Sequence, residues 1–248
     1  SILSKGIQKI KSKNNDFLWM KLNKTFFGLD CDIYLCNCYI PPQNSRFHDE
    51  LENSYFDTLK EEISVFSRLG EIILCGDFNS RVGELQETLF EVDRETSTGR
   101  CIDNYELSLP YRFNEDKEVN SFGKKLVKFV NETNLLIING RTLGDSMGNK
   151  TCYHYNGSSV VDYFITSYNL FSKVINFNVH NQTWYSDHSP ISLSVAINRN
   201  LNSNINSHFN LEKIKQYKYI SPYCDNFKLL LNSKESQTKF AKIVENKD

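Results

Sequence analysis

The chain has 248 residues and a mass of 28.9 kDa, of which 40% are hydrophobic, 13% aromatic and 24% charged. That is enough apolar material for a core, and the composition is not that of a disordered chain. A formal net charge of −1 and a pI near 6.5 exclude a protein that holds nucleic acid by bulk positive charge. No run approaches the roughly 18 apolar residues of a membrane span, and residues 1–15 lack a signal-peptide core. The expectation is a soluble, intracellular chain, in nucleus or cytoplasm, with one large domain and a tail.

In chain order, "DFLWMKLNK" (16–24) and "DIYLCNCYI" (32–40) have strand content with a turn at 26–30 between them, which predicts a hairpin. Pro41-Pro42 closes the second strand. Leu51, Tyr55, Leu59, Ile63 and Phe66 then recur at helical spacing, with Gly70 as the expected C′ stop. The apolar run 71–75 reads as a buried strand following that helix, which is β-α-β logic. Residues 80–120 are polar, with "ELQETLFEV" the one ordered-looking piece, and a connection this long is usually functional or mobile.

Ser121 is the expected cap of a helix over "FGKKLVKFVNETN", followed by the strand "LLIIN". "TCYHY" and "VVDYFIT" flank "NGSS", an Asn-Gly hairpin signal. "KVINFNV" and "PISLSVAI" read as two more strands around "HNQTWYSDHS". After residue 197 the composition shifts to the polar linker "NRNLNSNINS" and an amphipathic, helix-like tail, so the expected domains are 1–197 and 198–248. The seven cysteines are an odd number, and Cys31, Cys36, Cys38, Cys75 and Cys152 sit in strand-like stretches as reduced core thiols.

Chemistry-bearing residues gather at three strand ends: Asp77 and Asn79 after "EIILCG", Asp162 within "SVVDYF", and Asp187-His188 before "SPISLSV". Taken singly, each is as well read as a turn, a cap or a loop pair. Together they supply what phosphodiester cleavage needs: a group to position water, a proton carrier, and oxygen ligands for a hard cation such as Mg²⁺. Asp162, inside an apolar run, needs a partner if buried, and His188 is the natural one.

With "NCYIPP", "LCGDFNSRVG", "SVVDYFITS" and "SDHSPI" in this order, residues 5 to about 197 resemble the endonuclease/exonuclease/phosphatase superfamily. Within it, they most resemble the endonuclease domain of LINE-type (non-LTR) retrotransposons. The resemblance implies a DNase-like α/β fold, a two-sheet sandwich with outer helices, acting with Mg²⁺ (or Mn²⁺) on DNA. It implies that Tyr39 contacts the phosphate, that Asp77 orients or activates the attacking water, and that Asn79 fixes the phosphate or the water. Asp162 would hold the imidazole of His188, which would serve the substrate phosphate, and Asp187 would serve the metal.

Family members open with a strand carrying an Asn and a later strand carrying the Glu that is the principal Mg²⁺ ligand. Nothing before Tyr39 plays either part, so the chain is expected to start after the family's first strands and to show weak or no activity alone. The tail resembles the connector that leads into a reverse transcriptase. Two other readings stand beside this one. The first is a phosphomonoesterase or phospholipid phosphodiesterase on the same site, and the second an inactive remnant that binds nucleic acid through Lys124, Lys125 and Lys128.

Overall fold

The computed structural model describes residues 5–42, 45, 54–88, 90–91, 105–106 and 109–196, all within one unit spanning Ser1–Asn200. In chain order the elements are β1 (Ile7–Ile10), β2 (Phe17–Leu22), α1 (Lys24–Phe27), β3 (Asp32–Tyr39), α2 (Ser54–Phe66) and β4 (Gly70–Asp77). There follow β5 (Phe90–Glu91), β6 (Tyr105–Glu106), α3 (Ser121–Thr133), β7 (Leu135–Ile137), β8 (Cys152–His154) and β9 (Gly157–Ser159). The last are β10 (Asp162–Ser167), α4 (Tyr168–Phe171), β11 (Val174–Val179) and β12 (Ile191–Val195). The linker and tail expected after residue 197 lie outside the described residues, as do the residues before Ser54 in the expected helix.

Six strands form a central sheet in the order β1-β2-β3-β4-β10-β7. β3 and β4 run parallel, with α2 between them in the chain, and every other neighbouring pair is antiparallel. The period-2 alternation of these strands sorts their side chains onto two faces. Tyr34, Cys36, Cys38, Ile72, Leu74, Tyr163 and Ile165 share one core cluster with Leu59 and Ile63 of α2 and Leu126 and Phe129 of α3. On the other face Ile33 and Ile73 meet Phe164, Leu193 and Val195, and Phe177 packs with Leu136 and Ile138. The antiparallel pair β11–β12 thus forms a second, two-stranded sheet over that face. The molecule is a mixed α/β fold with helices on one side of the large sheet and a small sheet on the other.

Full burial of side chains of this size is worth roughly 1.5–3 kcal/mol each, and the polar atom that enters the core is matched. Trp19 lies edge-on to Phe66 of α2 at 4.8 Å between ring centroids, and its indole N–H donates to Glu62 Oε2 at 2.7 Å. β2 and α2 are tied together at that point.

Three local expectations are corrected. The cap of α3 is Asn120, not Ser121: its backbone is extended (φ −97°, ψ 175°) and its Oδ1 accepts from Gly123 N at 2.6 Å. Gly70 does not stop α2, which ends at Phe66, but opens β4, where an added Cβ would stand 2.1 Å from the Asp32 carbonyl oxygen. The hairpin at "NGSS" closes on itself, because Gly157 pairs with His154 and leaves Tyr155-Asn156 as the turn. "VVDYFIT" is then free to enter the central sheet as β10.

The polar stretch 80–120 is firmly bonded where it is described. Arg81 makes paired bonds to the Asp116 carboxylate at 2.6 and 2.7 Å. Buried Glu87 lies between Arg112 (3.2 Å) and Arg141 (2.8 Å) and accepts the Ile137 N–H at 2.8 Å. Both loop arms are thereby fastened to β7.

Candidate active site

Sheet register assembles the site. Tyr39 of β3 pairs with Asp77 of β4, and Asp77 pairs in turn with Asp162 of β10. The three residues form one transverse row across neighbouring strands, and opposed positions share a face. Alternation places that row on the same face as Ile33, Ile73 and Phe164, away from the helices. Tyr39 is half-exposed, whereas Asp162 is only 8% exposed.

Two backbone features fix Asp77. Gly76 has φ +129°, and an added Cβ would stand 2.1 Å from the Cys38 carbonyl oxygen, so the strand end needs glycine here. Beyond it, Asn79 adopts a left-handed conformation (φ 47°) and its N–H donates to Asp77 Oδ1 at 2.8 Å, an Asx-turn. The Asn79 amide nitrogen donates to Asp77 Oδ2 at 3.0 Å and to the Ile40 carbonyl at 2.8 Å. Both amide hydrogens are therefore committed within the chain, and the Oδ1 acceptor is what Asn79 offers a ligand.

His188 reaches the row from the segment before β12. A bridge between Cys152 and His188, with Tyr153 N–H donating to the Asp187 carbonyl (2.8 Å) and Ser189 N–H to the Thr151 carbonyl (2.7 Å), fastens this segment to β8. His188 Nδ1 lies 2.9 and 3.0 Å from the two Asp162 carboxylate oxygens. That contact makes Nδ1 the protonated nitrogen, with Nε2 left as the working atom; Nε2 lies 3.5 Å from Cys152 Sγ. Asp187 is half-exposed, and its Oδ2 lies 3.1 Å from His154 Nδ1.

The site is overloaded with negative charge. Burial and the Asp162 carboxylate push Asp77 up to about 6, against the pull of the Asn79 hydrogen bonds and of His188. Burial likewise raises Asp162, although Thr151 and His188 oppose it, while Asp187 adds to the rise. Burial lowers His188, but Asp162, Asp77 and Asp187 more than offset that and raise it above its ordinary value. Opposed carboxylates on adjacent strands are intrinsically unfavourable, and such an arrangement is typical of sites that do chemistry.

Tyr39, Asp77, Asn79, Asp162 and His188 are thus gathered at one end of the sheet, with Asp187 next in chain to His188. Lys124, Lys125 and Lys128 are elsewhere, on α3 in the helical layer, and Lys128 pairs with Glu132. Three positioning residues went unread in the sequence. Thr151 Oγ1 accepts from the N–H groups of Val161 and Asp162, both at 3.1 Å. Asn139 donates to the Asp162 carbonyl at 3.0 Å and accepts from Phe164 N–H at 3.1 Å. Asn120, besides capping α3, donates to the Asn79 carbonyl at 3.1 Å. Each is an amide or hydroxyl near a strand or helix end, a signal too common in this Asn-rich chain to stand out.

Two carboxylates in register across the sheet and an Asp–His pair beside them make this strand end the candidate site for acid–base chemistry. Residues 33–192 match the model of the family described as endonuclease-reverse transcriptase. The chain belongs to that family, and it is a nuclease-type hydrolase with a DNase-like fold. Among solved structures it is similar to the endonuclease domain of TRAS1, a telomere-specific non-LTR retrotransposon. The identity is 14% and the TM-score 0.51, over 78% of this chain and 70% of that one. It also matches the 3′ phosphatase NExo from Neisseria bound to a product DNA hairpin (13% identity, TM-score 0.49, 77% and 70% covered). A further match is the 3′-5′ exonuclease NExo from Neisseria meningitidis (12%, 0.49, 76% and 70%). No curated protein matches.

Proposed function

We propose that the chain is a divalent-metal-dependent endonuclease that nicks DNA as the nuclease part of a retroelement polyprotein also carrying a reverse transcriptase. The observation that carries this reading is the Asp162–His188 contact at 2.9 Å beside Asp77 in register, in a chain of the endonuclease-reverse transcriptase family. Asp187, a half-exposed carboxylate next in chain to His188, offers oxygen of the kind a hard cation takes. Asp187 would hold Mg²⁺ or Mn²⁺, whose bound charge would stabilise the phosphate oxygens.

The chain's own groups do the rest. Asp77, held by the Asn79 turn, accepts a proton from the attacking water, and Asn79 Oδ1 orients that water. Asp162 holds His188 so that protonated Nε2 donates to a non-bridging phosphate oxygen, and the Tyr39 hydroxyl contacts the same phosphate. The water oxygen forms the new bond to phosphorus as one P–O ester bond breaks, and the leaving oxygen takes up a proton from solvent.

Trp184 and Tyr185, just before Asp187, and Tyr155, at the tip of the β8–β9 hairpin, are fully exposed. Exposed aromatic faces suit bases, which stack on them for roughly 1–3 kcal/mol each, and this favours nucleic acid over an inositol phosphate or a phospholipid headgroup. The test is to incubate the chain with supercoiled plasmid, with Mg²⁺ or Mn²⁺ or with a chelator. Slow metal-dependent conversion to open circle is expected. Turnover of a soluble inositol phosphate or a sphingomyelin analogue with the plasmid left intact would contradict the reading.

A further inference from the structure

Beside the catalytic pair lies a second cluster, whose Cys152 and His154 the reaction above does not use. Cys152 Sγ is 3.3 Å from His154 Nε2 and 3.5 Å from His188 Nε2. Two ligands of one tetrahedral zinc ion, with Zn–S near 2.3 Å and Zn–N near 2.0 Å, stand about 3.5 Å apart. Asp187 Oδ2 lies 3.1 Å from His154 Nδ1, and His188 is held at its other nitrogen by the Asp162 carboxylate at 2.9 Å. That outer support is what metal-ligating histidines use to fix their orientation. Cys152, His154 and Asp187 each offer a ligand atom, and these atoms lie within 4.8 Å of one another.

We propose that Cys152, His154 and Asp187 form a site for a thiophilic divalent cation of the zinc class, flanked by His188. The thiolate selects against Mg²⁺, which takes oxygen ligands, and favours a softer ion. Cys152 is 3% exposed while His154 and Asp187 are half-exposed, so the ion enters from solvent and rests against a buried sulfur. The same three side chains have the order of a Cys-His-Asp nucleophilic set. A reactive thiol, however, sits in an exposed, electropositive setting, whereas this one is buried beside three carboxylates, a setting that attracts a cation. The ion would share Asp187 with the magnesium of the preceding section and lie against His188, and so act as an inhibitor there. The site itself stands on the geometry alone, whatever the enzyme's substrate.

The test titrates Co²⁺, a spectroscopic stand-in for Zn²⁺, into the metal-free full chain. A thiolate-to-cobalt charge-transfer band should saturate at about one equivalent and vanish when Zn²⁺ is added. Cys152→Ser should abolish the band. His154→Ala, at an exposed position that does not threaten folding, should weaken binding by about tenfold or more. Absence of the band, or a band that forms with unchanged affinity in His154→Ala, overturns the proposal.

Discussion

At the scale of single residues, the site works by mutual perturbation of charges. Asp77 can accept a proton only when ionised, so its value of about 6 in the metal-free chain gives the metal-dependent pH–activity profile an acid limb at or below that pH. His188 must be protonated to donate, and its raised value carries that form above the ordinary imidazole range. A bell-shaped profile is the expected outcome. Asp162→Asn removes the anion that raises His188, so the alkaline limb should move to lower pH; a limb that stays in place would show that another group sets it. Stability follows the same charges. The folded value of Asp77 lies above its ordinary 3.8, so the native state binds this proton more tightly than the unfolded chain. The resulting stability is full below about 3.8 and is lost as pH rises through about 6, a change on the order of 1–3 kcal/mol. In chelator, melting temperature should fall across that window, and Asp77→Asn should flatten the fall.

At the scale of elements, strand alternation and helix spacing were readable, and the capping and turn details were not. Tyr39 was readable as a site residue only through the resemblance carried by "NCYIPP", since β3 buries Ile33 and Tyr34 in succession and its alternation singles out no end residue. Asn120 and Ser121 are both good capping residues, and local sequence does not choose between them. Asn120 wins because its Oδ1 also accepts Arg81 N–H at 3.0 Å while its amide reaches Asn79, contacts made by a loop 39 and 41 residues away. Asn120→Ala should therefore cost about 1–2 kcal/mol of stability, the ordinary value of a lost cap. It should also lower kcat/KM by more than that loss explains, because the turn holding Asp77 is loosened. Unchanged catalysis in a folded variant would reduce Asn120 to a cap. Gly157 illustrates the same limit: "NGSS" signals a hairpin, but only the strand partner shows that the turn is Tyr155-Asn156.

At the scale of the molecule, what the sequence could not show was order across the sheet. β10 lies between β4 and β7, and that placement, set by non-local pairing, makes Asp162 the neighbour of Asp77. The bridge from β8 to residues 187–189 likewise brings Cys152 and His154 to Asp187, a cluster whose members do not stand out until the chain closes on itself. The loops 80–88 and 109–120 are held to this sheet by buried Glu87 between Arg112 and Arg141, whose Nε and Nη1 have no hydrogen-bond partner among the described residues. Glu87→Gln would leave two buried guanidinium groups facing a neutral amide and should destabilise the fold by about 3–5 kcal/mol. A melting temperature equal to that of the parent chain would refute this role.

If the Asp77, Asp162 and His188 constellation cleaves phosphodiester bonds, loss of the imidazole must slow the reaction. The decisive comparison is the metal-dependent plasmid-nicking rate of His188→Ala beside the parent chain, at a pH between the two limbs. A loss of roughly 10²–10⁴-fold, the usual worth of a positioned acid or base, is the predicted result. An unchanged rate in a correctly folded His188→Ala variant would contradict the account.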